Sequence, residues 1–86
     1  MTLEEIVDMY GSSIGRHLVS RRVVKNIEGP FKGFKTYCIE LWDAGTQEKI
    51  IQAEVAGHMT DNNKESIIKE VEKDFIKTMF AHYAFK

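Results

Sequence analysis

The sequence predicts an α+β domain of order α-β-β-β-α, a three-stranded antiparallel sheet with two helices packed on one face. Three observations predict it. Apolar residues recur every fourth position over the last quarter of the chain. A shorter capped apolar stripe opens it. Between them, three segments alternate in hydropathy and are separated by turn residues.

Thr2 with Glu5 has the form of a capping box, and Leu3, Ile6, Val7 and Tyr10 make one apolar stripe behind it. Gly11 is read as the C-cap, although Ile14 is in phase and would carry the helix toward His17. A strand is expected over 18–27, with Val19, Val23 and Ile27 alternating with Arg21 and Lys25. The only proline, Pro30, and two glycines mark residues 28–33 as a loop. Strands over 34–42 and 46–56 flank Asp43-Ala44-Gly45, where Gly45 suits a type I turn with a bulge and would pair Trp42 with Thr46. Side-chain alternation then places Tyr37, Ile39 and Leu41 with Ile51, Ala53 and Val55 under the helices. Phe34, Thr36, Cys38, Glu40 and Trp42 share the other face with Glu48, Ile50, Gln52 and Glu54.

The closing helix starts after Thr60-Asp61-Asn62-Asn63, with Asn62 and Glu65 spaced as a capping box. Ile67, Val71, Phe75, Met79 and Tyr83 give the core stripe, with Ile68 beside it. His82 falls within the apolar arc and is read as a structural histidine. Ile76, Phe80 and Ala84 form a second strip about 120° round, to be covered either by the chain itself or by another subunit.

Eighty-six residues correspond to a single compact domain, 1–86, with a small core. One cysteine excludes an internal disulfide, and no Cys/His spacing builds a metal site. Homo-oligomerisation is the remaining means of support, and no cofactor is expected. The acidic opening Met1-Thr2-Leu3-Glu4-Glu5 is unlike a secretion signal, and no apolar run approaches the ~20 residues of a membrane span. A cytoplasmic location is the expectation.

The net charge of −1 is unevenly spread. Arg16, Arg21, Arg22, Lys25, Lys32 and Lys35 against Glu28 give residues 16–35 a charge of +5, between two acidic flanks. Interleaved with His17, Phe31 and Phe34, this run could hold nucleic-acid phosphates and stack bases. The same cations, with Phe31, Phe34 or Trp42 as stacking rings, could surround a nucleotide or a small phosphorylated ligand, at a site between subunits in so small a chain. The bland alternative is a solvated strand edge, where cations discourage aggregation.

The element order resembles that of the double-stranded RNA-binding domain. That family has a glycine-rich approach and a Lys-Lys-x-Ala-Lys run at the start of its second helix, both on phosphate. The corresponding stretch here reads Gly57-His58-Met59-Thr60-Asp61-Asn62-Asn63-Lys64-Glu65, with Lys64 its only Lys or Arg and Asp61 and Glu65 opposing an anion. None of that family's functional residues carries over.

Protein binding ranks first. Trp42, Phe34, Ile50 and Cys38, rimmed by Glu40, Glu48 and Glu54, have the make-up of an aromatic anchor with a polar border. There is no phosphate-binding glycine loop, nucleophile elbow or paired-carboxylate signature, and Cys38 lacks a motif, so no catalysis is expected.

Overall fold

The structure, a computed structural model, describes residues 2–26 and 33–83. The elements are α1 (Leu3–Ile14), β1 (Leu18–Asn26), β2 (Phe34–Asp43), β3 (Glu48–His58) and α2 (Lys64–Tyr83). The sheet is antiparallel in the order β1-β2-β3, so the α-β-β-β-α layout is that of the sequence reading. Ile27, the loop residues 28–32 and Ala84 lie outside the described residues.

Helix α1 starts as expected: Thr2 Oγ1 accepts from the Glu5 amide at 3.2 Å, and Glu4 and Glu5 complement the positive helix end. Its end differs from the sequence reading. Gly11 is inside the helix and buried, and the cap is Gly15, at φ 69°. Gly15 N–H donates to Ser12 O, and Arg16 N–H to Gly11 O at 2.8 Å, a Schellman closure. Gly11 serves close approach instead. A Cβ there would lie 2.6 Å from Arg16 O and 3.3 Å from Leu18 Cγ.

β1 and β2 pair in one unbroken register, with Val19 opposite Trp42, Arg21 opposite Glu40 and Val23 opposite Cys38. The β2–β3 turn is longer than expected. Trp42 faces Lys49, not Thr46, and Asp43 faces Glu48. Asp43 closes the turn: its Oδ1 accepts from the Gly45 and Thr46 amides, its carbonyl accepts from Gln47, and Gln47 takes a φ of 60°. Between Leu41, opposite Ile51, and Trp42, opposite Lys49, the register slips by one residue. Ile50 is therefore the extra residue of a β-bulge. Even so, Tyr37, Ile39 and Leu41 pair with Val55, Ala53 and Ile51, because a shift of an even number of residues preserves the faces.

Both helices cover that face. Ile39, Leu41 and Ala53 meet Leu3, Val7 and Leu18 on one side and Val71, Phe75, Met79 and Tyr83 on the other. α1 lies on β1, and α2 on β3 and β2. Tyr10 joins the helices, stacked on Tyr83 at 5.4 Å and edge-on to Phe80 at 5.8 Å. Three sequence expectations are corrected here. The first bond of α2 is accepted by Asn63 O, and the Asn63 side chain turns back to Thr60 N and His58 O, so Asn63 and not Asn62 ends the approach. Ile50 packs against the core, since the bulge turns it to the helix side. His82 is exposed with its ring edge-on to Tyr83, because Tyr83 takes the contact with α1.

Candidate functional site: the helix-free sheet face

The alternation that buries Ile39 and Leu41 sends their neighbours to the far side, where no described helix lies. Reading across the strands, the rows are Val19–Trp42–Lys49, Arg21–Glu40–Gln52, Val23–Cys38–Glu54, Lys25–Thr36–Ala56 and, at the start of β2, Phe34–His58. A polar network runs through the first two rows. The Trp42 indole donates to Glu40 Oε1 at 3.1 Å, and the other Glu40 oxygen is 3.7 Å from Lys49 Nζ. Lys49 also donates to Gln52 Oε1 at 2.8 Å, and the Arg21 guanidinium lies 4.6 Å from the Trp42 ring centre. Such a cation–π contact is worth about 0.5–1 kcal/mol when exposed.

Glu40 is only 8% exposed although no described helix covers it, with the longer Trp42 and Lys49 side chains bonded to its carboxylate. Its carboxylate has an indole and an ammonium as partners, so its burial leaves no unsatisfied charge. Cys38 is buried beside it. Burial first, then Glu40 and Glu54, push its thiol above the ordinary value, which keeps it protonated near neutral pH and a poor nucleophile. At the far end Phe34 and His58 meet edge-on at 5.6 Å, and Gly33 (φ 89°) leaves room for the imidazole.

The basic run does not converge. Arg21 and Lys25 stand on the helix-free face. Arg22, one residue on, points to the helix side, where it bridges Glu4 of α1 (2.9 Å) and Glu72 of α2 (3.3 Å). A hydrogen bond to its own backbone, then the Arg22 guanidinium, holds the Glu4 carboxyl below its usual range, and the hydrogen bond to Glu4 raises Arg22. Arg16 lies after α1 with Nε 4.0 Å from Asp43, and Lys35 is exposed near the start of β2 on the opposite side from Arg21. Phe31 and Lys32 lie outside the described residues.

Of the second helical strip, Ile76 packs against the chain's own core. Phe80 remains 47% exposed beside Tyr10. A shallow open cleft of about 230 Å³ lies between Glu4, Val7 and Asp8 of α1 and the start of β1. Among the described residues no group of His, Cys, Asp or Glu could hold a metal ion, and no helix is long and apolar enough to cross a membrane.

The sequence reading missed Lys49 in the network, because strict alternation from Glu48 puts it on the helix side. The adjacent pair Ile50-Ile51 was the available signal: two large apolar residues in a row break alternation where a bulge turns both inward. No family model matches the chain, and neither does any curated protein or solved structure. The resemblance to the double-stranded RNA-binding domain therefore rests on element order alone.

Proposed function

We propose that this is a small non-enzymatic interaction protein that binds another protein chain through the helix-free face of its sheet. The observation that carries the reading is the Arg21–Trp42–Glu40–Lys49–Gln52 network. It holds a half-buried tryptophan in one orientation on a face that the helices leave open. An aromatic side chain fixed before binding loses little entropy on association, and a polar surround excludes water from its contact. Cys38, buried with its thiol pushed above the ordinary value, offers no activated nucleophile, in keeping with a role without catalysis.

The reading as a nucleic-acid or phosphorylated-ligand binder loses support from the divergence of Arg16, Arg21, Arg22 and Lys35. The helix-free face mixes Arg21, Lys25 and Lys49 with Glu40 and Glu54 and lacks the single-sign field that phosphate binding needs. The test is site-specific photo-crosslinking in cells, with Trp42 kept and a photoreactive residue at position 56, exposed on the same face, or, as control, at position 69 on the exposed side of α2. Protein adducts from position 56 alone are expected. Equal yields from both positions, or none from 56, would overturn the reading.

A further inference from the structure

We propose that the chain which covers this face is a second copy of the same protein, related by a two-fold axis running along β2. The inference rests on the reading of the face as an interaction surface and adds the identity and geometry of its occupant. The charge layout carries it. Arg21 and Lys25 lie on β1 along one side of the face. Glu54 lies on β3 along the other, in the row midway between them. Lys25 and Glu54 are exposed, and neither joins a salt bridge among the described residues.

Two sheets stacked face to face, about 10 Å apart and nearly aligned, can be related by a two-fold along the strands or across them. An axis across the strands through the Val23–Cys38–Glu54 row lays β1 on β1, with Arg21 over Lys25 of the other copy, which sets like charges together. An axis along β2 lays β1 on β3 and keeps every row level. Each Glu54 then falls between Arg21 and Lys25 of the opposite copy, twice per dimer. Val19, Val23 and the Trp42 ring supply the apolar part. On the axis Glu40 meets its counterpart, but each is already held by its own Trp42 and Lys49.

Three strands of about ten residues give a footprint of roughly 400 Å² per copy. This is small among specific interfaces, so the dimer is expected to form at micromolar concentrations and to weaken with salt. The test is sedimentation equilibrium of the full chain as wild type, as Glu54→Lys, as Arg21→Glu with Lys25→Glu, and as a one-to-one mixture of the two variants. Thermal melts confirm folding, and Glu54→Gln and Arg21→Gln with Lys25→Gln replace any variant that fails to fold, read alone against wild type. Wild type should dimerise, each variant alone should need at least tenfold more protein to do so, and the reversed pair mixed should regain wild-type association as a mixed dimer. A wild type that stays monomeric at millimolar concentration, or a dimer indifferent to these changes, would overturn the proposal. Adducts to a different protein from position 56 would leave the interaction reading standing in that case.

Discussion

On one side of the sheet Ile39, Leu41 and Ala53 lie beneath Val71, Phe75 and Met79, almost without exposure. On the other side the same strands present Arg21, Lys49 and Gln52 to solvent around a half-buried tryptophan. The helix side is held by close packing of apolar side chains, while the helix-free side is held by hydrogen bonds and a cation–π contact. A side chain removed from the first should therefore cost stability. One removed from the second should chiefly cost binding.

The largest effect belongs to Phe75, which has no exposed surface. Phe75→Ala should lower stability by about 3–5 kcal/mol, read by denaturant unfolding, with partner binding changed only through loss of folded protein. Trp42→Ala should reverse that pattern, with loss of the position-56 crosslink and a fold that still melts cooperatively. Gly11→Ala should destabilise by about 1–3 kcal/mol despite the roughly 1 kcal/mol that alanine gains inside a helix, because the new methyl meets a backbone oxygen. A rise in melting temperature for this variant would mean that α1 and β1 are less tightly apposed. Ile50→Ser should cost about 1–2 kcal/mol, since the bulge places Ile50 against the core. A neutral result would return it to the open face.

The smallest effect concerns the Glu4–Arg22–Glu72 bridge. Its side chains keep between 34% and 61% of their surface in solvent, which screens the charges, so Arg22→Met should cost no more than about 1 kcal/mol at neutral pH. Because the Glu4 carboxyl is held below its ordinary 4.5, its share of stability is present above that pH and is lost as pH falls through the folded value. Acid titration of wild type against Glu4→Gln should show the two stabilities converging below pH 4.5.

Much of the architecture was legible because it follows from periods. The fourfold spacing of Val71, Phe75 and Met79 and the alternation through Tyr37, Ile39 and Leu41 each name a face, and a register error of even length leaves a face intact. Features set by one-residue events were not legible. The Ile50 bulge moves Lys49 into the candidate site. Gly11 resembles a helix stop but is a packing glycine, because the stop that forms depends on Gly15 and Arg16 beyond it. The spread of the basic run over both faces was not legible for the opposite reason. Alternation separates Arg21 from Arg22, and only the positions of Glu4 and Glu72 on the helices reveal what Arg22 binds.

The division between the two sides is tested most directly by nuclear magnetic resonance of the purified protein diluted from millimolar to low micromolar concentration. Concentration-dependent shifts should gather at Val19, Val23, Glu54 and the Trp42 indole, with Met9, Tyr10 and Phe80 unmoved. Shifts gathered at Met9, Tyr10 and Phe80 instead would place the contact on the helix layer and contradict the account.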